Sequence, residues 1–385
     1  MSTQIPTTDT RSRLQELADI AVELLPRMLD PETALFSHKT LRHGARYVNK
    51  RSNLAYSAMS VVGLLEQPRR PADEVVPLGR CIDALHTGAD LRPHVVVDGN
   101  LLWACALADD RRAVGVVTRL VDRMKPSVVP SSELGVALFG LVAAARAFPE
   151  CRDRAGLGAE RAANELLERF MAGPEVFPQQ PPRLRLRHGT MQRGITSFAS
   201  QVYPLHGLAA WYEWTGTTPA AALGRVASGL VEAQGAQGQW WWLYSPHRRA
   251  VVEGYPVYSV HQDGMAFLGL VPLQEIGLDA HWDALGLGLR WLDGHNELSE
   301  SLVAEDNGFI CRCIQRAGSD ADGPYGLSRW AYNRILLRSL RPPLDGRGVR
   351  ATPAELEILR ECRSYHLGWV LCAHALAERA GGEPG

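Results

Sequence analysis

The spacing of apolar residues follows the helical repeat almost from end to end, and this restricts the fold more than any motif does. Leu14, Leu17, Ile20, Ala21, Leu24 and Leu25 share one face of a helix expected over about residues 11–27, because positions three and four apart stack on one side of an α-helix. Asn53 opens a second helix, NLAYSAMSVVGLLEQ, which stops before Pro68 and Pro71. The same reading predicts helices at about 73–88, 98–108 with Asp98 as N-cap, 110–125, 131–147 from a Ser131-Ser132-Glu133 cap signal, 157–172 and 195–214. Thr217 to Pro219 caps a ninth that ends near Gln234. Three more follow at about 262–276, 280–292 and 353–380, the inner part of the last starting near Tyr365. Strand signals are confined to VVEGYPVYSV and GFICRCI, which suit one small local hairpin.

Twelve helices make six pairs. Their connections alternate between short ones (109, 215–217, 277–279) and long ones (28–52, 173–194, 237–260, 294–352), as expected of stacked helical hairpins. If the hairpins close into a ring, every long loop falls on one face. The helices after those loops, more apolar and richer in small residues, then line the inside. The expected fold is all-α: an (α/α)6 toroid, one domain over 1–385, with a small β-hairpin on the loop face. In this the chain resembles the six-hairpin toroids shared by many carbohydrate-active enzymes and by terpene cyclases. The resemblance is architectural and covers nearly the whole chain.

Composition removes several alternatives. A net charge of −1 gives no general attraction to nucleic acid or an anionic membrane. No apolar run reaches the roughly 20 residues needed to span a bilayer, and the N-terminal stretch lacks a signal-peptide core, so a cytoplasmic location is expected. Seven scattered cysteines argue against a disulfide framework. Cys311-x-Cys313 has no second pair or nearby histidine to complete a zinc pattern. No metal or cofactor is expected.

Unusual chemistry concentrates in QGAQGQWWWLYSPHRRAVVEGYPVYSVHQDGM, residues 234–265. Trp240, Trp241 and Trp242 are followed by Tyr244, Glu253, Tyr255, Tyr258, His261 and Asp263. Flat rings in a row suit stacking on a ligand. The first turns of the other inner helices add Asn53 and Tyr56, Asp98 and Asn100, Glu133, Ser197 with Gln201 and Tyr203, and Tyr365 with His366. Asp98, Glu133 and Ser197 read equally well as helix caps, and His366 as a core histidine. The polar His261/Asp263 pair opens an otherwise apolar helix, and a pocket role fits it better.

Two carboxylates across a cleft, Glu253 and Glu297, would support acid/base work at a glycosidic bond. His261 facing His366 would instead suit proton abstraction and return at a sugar carbon, as the resemblance to sugar epimerases of this architecture implies. Arg312, Arg316, Arg329, Arg334 and Arg363 could bind carboxylate or phosphate, which points to an acidic or phosphorylated sugar. Each could equally be a solvated charge beside an acid. Gln234-x-x-x-Gly238-x-Trp240 is similar to a helix-end staple of triterpene cyclases, in which Gln caps a neighbouring helix and Trp packs over it. The acid and diphosphate motifs of those enzymes are absent, Glu305-Asp306 and Asp320-Ala-Asp322 being poor substitutes. The expected function is therefore an acid/base enzyme on a glycan or acidic sugar, of glycosidase or epimerase type, with a small-molecule or oligosaccharide substrate. A terpene cyclase with an aromatic-lined pocket and a noncatalytic glycan-binding protein are the competing readings.

Overall fold

A computed structural model describes residues 6–43, 46–68, 71–171, 176–179, 196–218, 221–245, 250–304, 308–318 and 351–381. Twelve helices run through them: α1 (Thr8–Met28), α2 (Leu54–Glu66), α3 (Leu78–Leu91), α4 (Val95–Ala108), α5 (Ala113–Arg123) and α6 (Ser131–Ala147). Next come α7 (Arg152–Met171), α8 (Ala199–Thr215), α9 (Ala221–Glu232), α10, α11 (Trp282–Leu292) and α12 (Ser364–Gly381). Helix α10 is a continuous run with a π turn (His261–Met265), an α segment (Ala266–Leu270) and a 3-10 end (Val271–Ile276).

The even-numbered helices form a closed inner ring, α2 touching α4, then α6, α8, α10, α12 and α2 again. The odd-numbered helices pack outside them, completing an (α/α)6 toroid. Amphipathicity separates the two rings. Outer α5 buries Ala113, Val116, Val117, Leu120 and Val121, a single stripe, whereas inner α4 buries every residue from Val97 to Cys105. Glycines let the inner helices touch: a Cβ on Gly63 would lie 2.3 Å from the Gly368 carbonyl oxygen, and one on Gly140 would lie 2.1 Å from that of Gly99.

The long connections carry the strands: β1 (Leu29–Asp30), β2 (Leu35–His43), β3 (Arg46–Ser52), β4 (Thr196–Ser197), β5 (Leu243–Ser245), β6 (Ala250–Glu253) and β7 (Val257–Tyr258). β8 (Val303–Ala304), β9 (Phe309–Ile310), β10 (Cys313–Arg316), β11 (Leu356–Leu359) and β12 (Glu361–Cys362) complete them. All strand pairs are antiparallel and they tie one long loop to the next: β4 to β5, β7 to β10 (Tyr258 opposite Cys313), and β2 to β12 (Leu41 opposite Glu361). The long loops therefore share one face, the mouth, above the N-termini of the inner helices.

Several local expectations change. The two strand-like patches do pair, but within a wider system whose longest ladder, β2–β3, lies in the loop at 28–52. Asn53 caps α2 by accepting from Tyr56 N–H (2.9 Å). Helix α4 instead starts at Val95 behind His94, whose Nδ1 accepts from Val96 N–H, so Asp98 is not its N-cap. Ser131 does not cap α6; it donates to the Pro178 carbonyl and receives Arg169. Residues 353–362 are a 3-10 turn and strands, and α12 begins only at Ser364. No helix among the described residues is long and apolar enough to cross a membrane.

Candidate active site

The π turn at the start of α10 organises the mouth. Gln262 Oε1 accepts from Trp240 N–H (3.1 Å), and its amide donates to the Tyr258 carbonyl (3.1 Å). Thus the indole strip and the His–Gln–Asp turn are in direct contact. His261 Nδ1 lies 3.2 Å from the Trp240 carbonyl. A carbonyl only accepts, so Nδ1 carries the proton and Nε2 keeps a lone pair. Burial drives the His261 pKa down to about 3; the Trp240 carbonyl opposes the shift and nearby His366 adds to it. The imidazole is neutral.

Asp263 turns across the ring to α12, where both of its oxygens lie 2.8 Å from His366 Nε2. Both side chains are buried. Burial raises the Asp263 pKa, and His366 pulls it back in part. The carboxylate holds the imidazole by Nε2 and leaves Nδ1 for a ligand or water, the division of labour in a carboxylate–histidine dyad.

Beside the dyad stands a cationic knot. Glu361 accepts from Arg312 (2.6 Å) and Arg363 (2.6 Å) and pairs with Lys39 (3.1 Å). Arg363 also donates to the His38 ring (2.7 Å). Burial pushes the Glu361 carboxyl up, but Arg312 and Arg363 outweigh it and hold it below the usual range. Three cations thus meet at this carboxylate. Arg312 is 15% exposed and lies over the Tyr258 ring (5.4 Å). Tyr258 meets His261 (5.2 Å) and Trp242 (5.6 Å); Tyr365 meets Tyr56 (4.4 Å), which stacks on His38 (4.9 Å). Tyr203 accepts from Trp369 Nε1 at 2.9 Å. Trp242, Tyr258, Tyr365, Tyr203, Tyr56 and Arg312 all keep part of their surface.

The structure thus brings together His261, Asp263, His366, Trp242, Tyr258, Tyr365, Arg312 and Arg363. Tyr203 joins them, since its charge is felt at Tyr365. Other sequence candidates have different surroundings. Trp240 is 0% exposed, packed on Phe198 and against Gly288, and Trp241 and Tyr244 are buried. Asp98 faces outward to Arg119 of α5 (2.7 Å). Gln201 is buried and pins Phe177 through both backbone groups. Glu297 accepts from Tyr255 O–H (2.7 Å), Gln239 (3.0 Å) and Trp291 (2.9 Å), and Arg316 lies over the Tyr255 ring. Its two oxygens already hold three donors, as expected of an acid that fastens a loop. The Glu253 side chain, Arg329, Arg334, Glu305-Asp306, Asp320 and Asp322 lie outside the described residues. Glu133 is half-buried in the first turn of α6, where burial raises its pKa and His94 lowers it. Sequence reading overlooked Lys39, His38 and Glu361. The last had a signal, since Glu361 sits between Arg360 and Arg363 where burial demands a counter-ion.

At the opposite end, among the C-terminal turns of the inner helices, lies a cavity of about 580 Å³ lined by Trp103, Phe139, His206 and Cys372. Its rim carries the pairs Glu66–Arg379 (2.7 Å) and Arg146–Glu213 (2.9 Å).

No protein-family model matches the chain, and no curated protein matches it in sequence. Solved structures do match in shape. A possible member of the GH105 family from Klebsiella pneumoniae aligns with a TM-score of 0.60 at 11% identity, over 98% of this chain and 96% of that one. An unsaturated glucuronyl hydrolase from Streptococcus agalactiae, in complex with dGlcA-GalNAc6S, aligns at 0.56 and 10%, over 97% and 93%. The type II terpene cyclase MstE from Scytonema aligns at 0.47 and 13%, over 96% and 98%. At such low identity these likenesses speak for the fold: the chain is an (α/α)6 toroid, of the architecture found in GH105 proteins and unsaturated glucuronyl hydrolases.

Proposed function

We propose that this protein is a glycan-acting enzyme that takes a uronate-bearing saccharide at the mouth and works on it by acid/base chemistry. The observation that carries this reading is the cationic knot, Lys39, Arg312 and Arg363 around Glu361, beside the Asp263–His366 dyad. Arg312 can offer a carboxylate paired N–H donors, while Tyr258, Tyr365 and Trp242 present ring faces to sugar C–H groups. The neighbour that holds dGlcA-GalNAc6S agrees with an acidic saccharide.

His366, oriented by Asp263, and the Nε2 lone pair of His261 are the proton acceptors; Glu133, held toward its protonated form by burial in the first turn of α6, is the donor. In the hydrolytic form of the reaction, the acceptor takes a proton from the attacking water and the donor gives one to the departing oxygen. The two imidazoles, His261 and His366, favour a second form, proton removal and return at one sugar carbon, as in an epimerase. A carbocation suits this mouth poorly, because three cationic groups stand beside the rings that would have to stabilise it.

The test is incubation with oligosaccharides ending in saturated or 4,5-unsaturated uronate, in deuterated water. New reducing ends identify the hydrolase; deuterium incorporation without new ends identifies the epimerase. Neither outcome with any uronate substrate, or thermal stabilisation by prenyl diphosphates alone, would reject the proposal. Activity unaffected by Asp263→Asn would indicate that the dyad takes no part.

A further inference from the structure

Three side chains outside the mouth converge on one point. His86 lies on α3, Cys105 on the last turns of α4, and Asp110 just beyond the left-handed residue Asp109 that ends α4. That turn folds the chain back, with Asp110 N–H donating to the Cys105 carbonyl (2.9 Å), and brings its carboxylate beside the thiol. His86 Nε2 is 3.3 Å from Asp110 Oδ2 and 3.6 Å from Cys105 Sγ, and the three atoms all lie within 4.8 Å of one another.

These separations identify the cluster. A charge-assisted histidine–carboxylate hydrogen bond is about 2.7–2.9 Å long, shorter than observed. A single Nε2 cannot hydrogen-bond well to a thiol and a carboxylate together. The edges of a tetrahedral zinc site follow from bonds of about 2.3 Å to sulfur and about 2.0–2.1 Å to nitrogen and oxygen. They come to about 3.6 Å for N···S and about 3.3 Å for N···O, matching both measured distances. Arg112 donates to both Asp110 oxygens through Nε and Nη2 (2.6–3.0 Å) and is itself held by Asp83 (2.7 Å), so an ion at Oδ2 shares that oxygen with the guanidinium. The His86 and Asp110 side chains keep 12% and 13% of their surface, enough for an ion to enter and for water to serve as fourth ligand.

We propose that His86 Nε2, Cys105 Sγ and Asp110 Oδ2 form a binding site for a thiophilic divalent metal of the zinc class, which fastens α3, α4 and the start of α5 together away from the mouth. The ion displaces the thiol proton: one Zn²⁺ binds thiolate, carboxylate and neutral imidazole, and one proton is released. Arg112 competes with the ion for Asp110, so its removal should tighten binding.

The experiment titrates the purified full chain with Co²⁺ and reads the optical spectrum. One equivalent should develop a thiolate-to-cobalt charge-transfer band with the intense visible bands of tetrahedral coordination, and zinc should abolish both. Cys105→Ser should lose the charge-transfer band, His86→Gln should weaken binding at least about tenfold, and Arg112→Ala should strengthen it. If Cys105→Ser does not fold, the more exposed His86→Gln decides alone. A folded wild-type chain with no charge-transfer band at one equivalent, or a band unchanged by His86→Gln, would overturn the assignment.

Discussion

The two ends of the toroid solve the same electrostatic problem in opposite ways. At the base every inner helix presents its C-terminus, and the cavity rim carries ion pairs, Glu66 with Arg379 and Glu213 with Arg146, with Glu275 nearby. At the mouth the helices present N-termini, already partly positive, and the loops gather Lys39, Arg312 and Arg363 around one carboxylate, Glu361. Aromatic rings and a buried histidine occur at both ends, so they do not mark the site by themselves. What distinguishes the mouth is a cluster of cations beside a carboxylate-backed imidazole.

The sharpest way to break the comparison is to remove the dyad's carboxylate. Asp263→Asn keeps the shape and a hydrogen-bond partner for His366 but removes the charge that orients the ring. Turnover of uronate substrates should fall about 10²–10⁴-fold, the usual range for a positioned acid or base, with KM little changed. Retained turnover in a folded variant would place the chemistry elsewhere.

A pH profile compares the ends directly. His206 at the base and His261 at the mouth are both depressed to about 3, chiefly by burial, whereas an unfolded histidine titrates near about 6.5. With folded pKa values below the unfolded one, the unfolded chain binds more protons between these limits. Stability is therefore full above about 6.5 and falls as the pH drops toward 3, by at most about 1.4 kcal/mol per pH unit for each ring. His206→Phe, which keeps the stack on Phe139, should flatten this acid limb without touching turnover. An unchanged limb by chemical denaturation would mean that His206 is protonated in the folded chain.

Arg312→Ala tests the cationic cluster itself. Arg363 and Lys39 still satisfy Glu361, so the fold should hold. KM for uronate substrates should rise about 10–100-fold, the value of about 1.5–3 kcal/mol for a hydrogen bond to a charged group. Neutral glycans should bind as before, and added salt should narrow the gap. Equal losses for neutral and acidic sugars would remove the uronate from the proposal.

These tests rest on features that were legible to different degrees. Ring closure could be read in the sequence because apolar periodicity and loop length are local properties: α5 shows one stripe, α4 none, and the long loops precede α2, α8, α10 and α12. His261 and Asp263 stood out because polar residues at the head of an apolar helix need a reason. The His366 partnership did not, since residues 103 positions apart meet only when the ring closes. Trp240 misled for a related reason. Three adjacent indoles look like a ligand wall, but Trp240 is buried against Gly288 of α11 and Phe198 and Trp241 is buried too, so only Trp242 keeps surface. Likewise Glu297 resembled half of a catalytic pair until Tyr255, Gln239 and Trp291 proved to occupy its oxygens.

The smallest effect concerns the element that holds the indole strip in place. Gln234 donates to the Gly238 carbonyl (3.0 Å) and to that of Ala284 in the first turn of α11 (2.9 Å), with Trp240 packed on the same helix at Gly288. Its bonds reach α11 near that helix's beginning, not its end, so the residue staples a turn to a helix flank without capping it. Gln234→Ala would leave the carbonyls of buried Gly238 and Ala284 short of a donor. A loss of about 1 kcal/mol is expected, seen as a few degrees in Tm with turnover nearly unchanged. Because Trp240 N–H and carbonyl hold Gln262 and His261, a staple failure that propagated would instead appear first in turnover. That result would show the π turn of α10 to depend on the outer ring for its shape, making mouth and scaffold one mechanical unit.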